Sequence, residues 1–548
     1  MIKTTHNLRI ATVYLVFIGI LVIIWLNLVN VQVIKHSFFK GLAKKQYEVS
    51  LTVPQPRALI VDRKGNPLAL NKDSIAAFIL PKQLEQPQEL ATFLRDHFPQ
   101  AHCRIQMMRH SFFNYIKRKL SSEDIALIHS AGLTDIRLLN EPSRFYPLRA
   151  AAPLVGITDI DNSGLLGIEW YYNKQLAGEP QQAYLQKDAR SGHFYFQKET
   201  THAGIAGKSV TLTIDGDLQF LVYEELLSTL ERFKAKEGAV IIVDPDTGDI
   251  LSMVTAPTFD PNNTTQLDVE QTRNRVIADA YELGSVFKVF AALAALEEGV
   301  VAIDELIDCQ NSTTAYIDGR RVNTVESSVR GVVPFMEVIS VSNNIGIAHV
   351  AKRVGPSLYD YYTRLGFGKK TGIPLPGEHA GFVSHPSGWS KQSIISLSYG
   401  YEVSATLLQL ARAFAIIAHD GCQVPLRLVI DDSSRPQQSA QRLFSHASIE
   451  SVKNILENTA LKGSARRAAI GGYRVMAKTG TANMLVDGIY DPDRNLYTCA
   501  GIVERGSYRR VIVTFVKQAS QKNLYASLVV APLFERVAEK MLIHEQMI

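Results

Sequence analysis

The chain has 548 residues, 46% hydrophobic and 20% charged, with a net charge of +5. That length suggests about three or four domain-sized units. The composition excludes a disordered tail, and no Lys/Arg block reads as a nucleic-acid footprint, so no nucleic-acid partner is expected.

The first predicted element is a membrane span. Ile10 to Leu28 carries no charge across 19 residues, close to the roughly 20 residues that cross a bilayer. A buried core helix seldom stays apolar on every face for so long. A secretory signal would have an apolar region of about 7–15 residues and a small-residue cleavage site, and "NVQVIKHSFF" offers none. We therefore expect a short N-terminal segment (1–9) and a retained anchor (10–31), whose orientation the flanking charges do not settle. Lys3 and Arg9 precede the span, whereas Lys35, Lys40, Lys44 and Lys45 follow it. That charge balance leans against export of the body, but long domains translocate largely regardless of charge.

Next, Val53 to Leu70 reads as a β-hairpin-like unit around the polar turn Asp62-Arg63-Lys64-Gly65. Residues 71–205 mix short helical and strand patterns. Near Lys208 an alternating strand leads to Asp215, placed to cap, and then to a helix with apolar residues at helical spacing. The domain boundary falls there, giving segments 32–207 and 208–548. "EGAVIIVDPDTGDILSMV" from Glu237 is a second hairpin. The apolar helix "YELGSVFKVFAALAAL" (Tyr281 to Leu296) stops at Gly299. A mostly helical stretch runs to about 465. Three strands follow, Tyr473 to Lys478, Leu496 to Glu504 and Arg509 to Lys517, and a last helix begins near Ala531. The class is α+β, with an antiparallel sheet packed by helices on its faces.

The apolar helix carries two polar residues at its start. Ser285 and Lys288 are i and i+3, on one face. A serine hydroxyl is a weak nucleophile until a base takes its proton, and lysine is a base only when neutral. Moving a lysine pKa from about 10.4 to near 7 requires about 4–5 kcal/mol. Burial and a second nearby cation both act in that direction. Alone, the pair also fits a solvent-facing helix start, and Ser37-Phe38-Phe39-Lys40 repeats the spacing without meaning. Ser342-Asn343-Asn344, alone, reads as an N-cap. In Lys478-Thr479-Gly480-Thr481 a strand delivers a lysine, two hydroxyls and a glycine that admits a close backbone. A second Lys-Thr-Gly at Lys370 lies between glycines and prolines, in a loop. We prefer the copy at Lys478, since a peptide substrate pairs with a sheet edge.

Ser-x-x-Lys, Ser-x-Asn and Lys-Thr-Gly in this order are the signature of penicillin-binding proteins and serine β-lactamases. The resemblance extends through "ALIVDRKGNPLA", "SRFYPLRAAAPLVGITDIDNSGLLGIEWYYNKQLAGEP", "TIDGDLQFLVYEEL", "GAVIIVDPDTGDILSMVTAPTFDPNN", "RNRVIADAYELGSVFK", "YGYEVSATLLQLARAFAIIAHDG" and "GYRVMAKTGTA". The chain resembles a class B penicillin-binding protein, most like the division-specific (FtsI-type) septal transpeptidases, over nearly its whole length and least at 71–140. This implies a cytoplasmic N-terminus (1–9), an inner-membrane anchor, an elongated non-catalytic pedestal (32–207) and a periplasmic transpeptidase domain (208–548). It implies that Ser285 attacks the penultimate D-Ala carbonyl of a stem peptide ending in D-Ala-D-Ala, while Lys288 takes its proton. Ser342 would relay a proton to the leaving amine, and Asn344 would hold Lys288 and the substrate amide. Lys478, Thr479, Gly480 and Thr481 would form the substrate-binding strand, with the terminal carboxylate on Lys478, Thr479 and Thr481. The backbone N–H groups of Ser285 and Thr481 would form the oxyanion hole. An amine from a neighbouring stem would then take the acyl group, and β-lactams would leave Ser285 acylated. No cofactor and no metal are implied. The implied partners are membrane lipid, an FtsW-type glycan polymerase and other divisome proteins.

Arg144, Gly167 and Glu169 lie in the most recognisable pedestal stretch, and fold maintenance is the favoured reading over partner contact. The chain departs from the family at Leu283, where proline is usual, at Glu402, where a loop glycine is usual, and at Arg57-Ala58, where Arg-Gly is usual. Cys103, Cys309, Cys422 and Cys499 are widely spaced with no C-x-x-C pair, and indicate neither a zinc knuckle nor a disulfide framework. Cys499 falls in a strand near the site, where packing is its expected role. Two rival readings stay open. One is a D,D-carboxypeptidase or β-lactamase with water as acceptor. The other is a β-lactam-binding divisome scaffold with little catalysis.

Overall fold

The computed structural model describes residues 2–53, 55–81, 84–107, 113–187, 194–264, 267–430, 440–486, 488–521 and 524–548. An N-terminal helix, Ile2–Val29, continues through a π-helical turn, Asn30–Ile34. Its stretch His6–Ile34 is long and apolar enough to cross a membrane, and none of its apolar window is buried within the protein. Large side chains such as Leu15 (69% exposed) and Phe17 (62%) therefore face outward, as expected of a surface covered by lipid.

Two compact units divide the chain, Met1–Pro56 with Ala177–Gly207, and Arg57–Leu176 with Lys208–Ile548. The first unit contains the anchor helix and an antiparallel sheet in which Gln181–Lys187 lies between Glu48–Val53 and Phe194–His202.

The second unit opens with the expected hairpin. Strands β1 (Ile60–Val61) and β2 (Pro67–Ile79) pair antiparallel. Their turn is closed by the buried Asp62 carboxylate, which accepts the N–H groups of Lys64 and Asn66 at 2.9 and 2.7 Å. Strand β2 also pairs with β3 (Asn114–Lys117) and β4 (Arg137–Phe145). Strand β5 (Val210–Thr211) returns the chain beside β1, in parallel. Asp215 caps helix α1 (Gly216–Phe233) by accepting the Leu218 N–H at 3.1 Å, as its side-chain chemistry predicts.

Strands β6 (Glu237–Val243) and β7 (Ile250–Ala256) follow, and every residue of both is buried. The remaining elements that frame the site are α2 (Lys288–Glu297), α3 (Phe335–Ser340), α4 (Asn344–Val354), α5 (Leu407–Ala418) and α6 (His446–Leu461). They are followed by strands β8 (Arg474–Val486), β9 (Ile489–Arg505) and β10 (Tyr508–Lys517), and by helix α7 (Ala526–His544). The five-stranded sheet has the order β7-β6-β10-β9-β8 and is antiparallel throughout.

The twofold alternation of a strand explains why β6 is apolar at nearly every position. Ala239, Ile241 and Val243 face one core with α2 and α5, whereas Val240 and Ile242 face another with α1 and α7. The sheet is thus sandwiched between helices, and α2 is the central helix of one face. Phe287 and Phe290 anchor it through edge and tilted contacts with Tyr362, Phe367 and Phe414, at centroid distances of 4.8 to 5.9 Å.

Two sequence expectations need adjustment. Helix α7 starts at Ala526 and carries Pro532 inside it. Proline normally breaks a helix interior, so the sequence misplaced the start downstream, near Ala531. Strands β8 and β9 also run past the expected ends into a long hairpin, because the polar residues of its tip conceal strand pairing.

Candidate active site

Ser285 lies in a 3-10 turn, Gly284–Phe287, and Lys288 opens α2 directly after it. The turn is gripped from two sides. Gly480 of the edge strand β8 comes so close that a Cβ there would lie 2.5 Å from the Leu283 carbonyl and 3.0 Å from the Val286 nitrogen. Gly400 has φ +90° and presses the Gly284 carbonyl, at 2.2 Å from a virtual Cβ. Neither contact tolerates a side chain. Ser285 itself is half-buried, between a buried helix and an open sheet edge.

Ser342 sits between α3 and α4 with φ +64°, a conformation that costs a non-glycine residue about 1–2 kcal/mol. Its N–H donates to Ile339 at 3.0 Å and the next N–H donates to Val338 at 2.8 Å. Asn343, not Ser342, supplies the helix cap, accepting the Gly346 N–H at 2.8 Å. Ser342 is thereby free to face the lysines. The Lys288 amine donates to the Ser342 carbonyl at 2.6 Å and lies 3.0 Å from its hydroxyl. The Lys478 amine lies 3.1 Å from the same hydroxyl and donates to the Thr479 carbonyl at 2.8 Å.

Both lysines are fully buried, and among the described residues no carboxylate pairs with either. Burial therefore drives the Lys288 pKa well below its ordinary value, and the neighbouring Lys478 charge adds to the effect. Burial brings Lys478 down to about 7. Cys499, directly across from Thr479, is buried and its thiol is pushed up to about 12 by burial.

The structure brings Ser285, Lys288, Ser342, Lys478, Thr479, Gly480 and Thr481 together, with two differences from expectation. No described residue hydrogen-bonds the Ser285 hydroxyl, since the Lys288 amine is turned to Ser342. Catalytic hydrogen bonds are often long before substrate binds. Asn344 is not on Lys288 either, as its amide donates to the Asn323 carbonyl at 2.6 Å. At the first turn of α4 its amide meets the end of the short strand Arg320–Asn323. The Thr481 hydroxyl accepts the Ala526 N–H at 3.0 Å. The alternative Lys370 is exposed, and its Thr371-Gly372 loop binds Glu378 instead.

Sequence reasoning missed two neighbours of the site. Glu282 accepts the Glu402 N–H and the Tyr490 hydroxyl, both at 2.9 Å. Glu402 takes φ +60° to reach it. Both Glu282 oxygens are thus engaged three residues before Ser285. Ser464, from the loop after α6, meets Thr479. Nothing local in "KGSARR" signals that contact, which depends on chain 15 residues away.

Elsewhere in the same unit, Glu169 accepts from Arg57 Nε and Arg144 Nε, each at 2.6 Å. Glu169 is 0% exposed and both arginines 4%. Gly167 has φ +60° and sits against the Leu154 carbonyl. These side chains are turned inward and hold the segment together.

The description "Penicillin binding protein transpeptidase domain" matches residues 238–539, and "Penicillin-binding Protein dimerisation domain" matches 52–212. The chain is 31% identical over 528 residues to peptidoglycan D,D-transpeptidase FtsI of Escherichia coli K12, covering 93% of this chain and 86% of the relative. It is 28% identical over 518 residues to the probable peptidoglycan D,D-transpeptidase PenA of Neisseria meningitidis serogroup A, covering 92% and 87%. Among solved structures it is similar to penicillin-binding protein 3 from Mycobacterium tuberculosis complexed with aztreonam, with a TM-score of 0.69 and 26% identity, covering 90% and 97%.

Proposed function

This chain belongs to the class B penicillin-binding proteins, and from that premise we propose how it cross-links peptidoglycan in cell division. It is a serine D,D-transpeptidase of the FtsI kind. The Ser285 hydroxyl adds to the penultimate D-Ala carbonyl of a stem peptide as the neutral Lys288 amine accepts its proton. The N–H groups of Ser285 and Thr481 hold the resulting oxyanion, where removal of one donor typically costs about 10²–10³ in rate. Collapse expels D-Ala, whose amine takes a proton through the Ser342 hydroxyl. The ester is then attacked by an amine of a second stem, which forms the cross-link and restores Ser285.

The observation that carries this reading is the convergence of two buried lysines, with no carboxylate on either among the described residues, on one hydroxyl behind the serine turn. That environment supplies a base at neutral pH. Strand β8 is one edge of the sheet, which suits an extended peptide laid against it. Water as acceptor would need a base aimed at the ester, and Glu282 has both oxygens occupied.

The helix His6–Ile34, the one among the described residues long and apolar enough to cross a membrane, serves as an anchor in the inner membrane. The body faces the periplasm, where stem peptides are, and the pedestal works with an FtsW-type polymerase and other divisome proteins. The membrane helix and the buried Arg57–Glu169–Arg144 centre support an anchored, rigid pedestal.

Mass spectrometry of the protein after treatment with a penicillin tests the reading. An adduct equal to the intact β-lactam is expected on the peptide containing Ser285, stable over many turnovers and absent in Ser285→Ala. An adduct elsewhere, or none, overturns it. Rapid release of the adduct would favour a β-lactamase.

A further inference from the structure

The loop after α6 joins two parts of the site that are far apart in sequence. The Ser464 N–H donates to the Ser340 carbonyl at 3.0 Å, two residues before Ser342. Gly463 presses the same carbonyl, at 2.3 Å from a virtual Cβ. The Ser340 hydroxyl is itself fixed, donating to Met336 at 2.8 Å and accepting from the Asn458 amide at 2.8 Å. From this anchored position the Ser464 hydroxyl lies 3.2 Å from the Thr479 hydroxyl. Thr479 is 6% exposed and stands beside Lys478 in the edge strand. Ser464 is therefore held by the end of α3 on one side and reaches the substrate strand on the other.

A hydroxyl carries one donor and two acceptor lone pairs. In a pair of hydroxyls one oxygen donates and the other accepts, and rotation about the C–O bonds exchanges the roles. With Thr479 donating to Ser464, as here, no Thr479 proton is free for an anion. With Ser464 donating to Thr479, the Thr479 proton turns outward to a carboxylate oxygen.

We propose that Ser464 is a positioning residue for carboxylate recognition, reversing this hydroxyl pair so that Thr479 donates to the terminal carboxylate of the donor peptide. The inference rests on the transpeptidase reading and adds the residue that sets the donor direction of its carboxylate subsite. No bond is made or broken in the exchange. Two hydroxyl protons rotate, and the bond to the anion is strengthened by the second bond behind it.

The test uses the full-length protein and two acyl-D-alanyl thioesters, one ending in a carboxylate and one with that carboxylate amidated. Ser464→Ala is expected to lower kcat/KM for the carboxylate substrate about tenfold, the scale of one hydrogen bond to a charged group, mainly through KM. The amidated substrate should be unaffected, and Ser464→Thr should restore the loss. In a Thr479→Val background Ser464→Ala should cost nothing further, because its effect runs through Thr479. Ser464→Cys, which keeps the shape with a weaker donor, replaces Ala if Ala lowers the melting temperature. An equal loss on both substrates, or no loss, overturns the proposal. No acyl-enzyme from either substrate on the unmutated protein overturns the transpeptidase reading, and this inference with it, so the two failures are distinct.

Discussion

Two buried cationic centres in the same unit have opposite characters. In one, Arg57 and Arg144 close on the Glu169 carboxylate through bonds of 2.6 Å. In the other, Lys288 and Lys478 close on the neutral Ser342 hydroxyl at 3.0 and 3.1 Å. Arginine cannot shed its proton in a protein, so its burial requires a counter-charge. Lysine can, and without a counter-charge burial neutralises it. The first arrangement produces rigidity, the second a base. All four cationic side chains are buried, and what separates scaffold from chemistry is whether an anion is supplied.

The sharpest way to break this contrast is Lys288→Arg, which restores a permanent charge to the reactive centre. Acylation of Ser285 by a penicillin, followed by stopped flow, should fall by about 10²–10⁴-fold, the usual contribution of a general base. Arg144→Lys should leave that rate unchanged. If Lys288→Arg acylates normally, the neutral-base account fails.

Removing the anion from the other centre comes next. Glu169→Gln leaves two arginines facing a neutral amide and should cost about 3–5 kcal/mol, read as a lower denaturant midpoint. A midpoint within error of the unmutated protein would show the centre to be passive.

The effect that is smallest at any one pH step is a slope. Lys478 has a folded-state pKa of about 7, against an ordinary value of 10.5. Between these values the unfolded chain binds the proton and the folded one does not, so the lysine's penalty shrinks as pH rises. Below about 7 the penalty is complete. Stability relative to Lys478→Met should therefore rise by about 1.4 kcal/mol per pH unit from pH 7 to 10.5. A flat difference would mean that Lys478 keeps its charge when folded.

The sequence was most readable where chemistry is local. Asp215 before α1, the Asp62 turn and the twofold alternation of β6 all act within a few residues. Ser285, Lys288, Ser342 and Lys478 were readable through their order along the chain, and Lys370 could be set aside because its flanking glycines and prolines preclude a strand. Pairings across the chain were not readable. Lys288 turns to Ser342, 54 residues away, and Asn344 turns to Asn323, which no local pattern encodes. Glu402 and Glu282 meet across 120 residues, and only folding reveals that a backbone N–H with φ +60° fixes the carboxylate beside the nucleophile. Pro532 misled for a different reason. Within α7 the gain from burying an apolar face outweighs the missing hydrogen bond.

The buried thiol opposite Thr479 has a practical consequence. Fully enclosed and protonated, Cys499 gives no thiolate to alkylating agents, oxidants or thioesters. Cys103, by contrast, is exposed on a separate helix, Pro99–Met107. A maleimide dye placed there would report on the protein while the cleft keeps its oxygen nucleophile untouched, so the two labels, one on sulfur and one on Ser285, are chemically orthogonal.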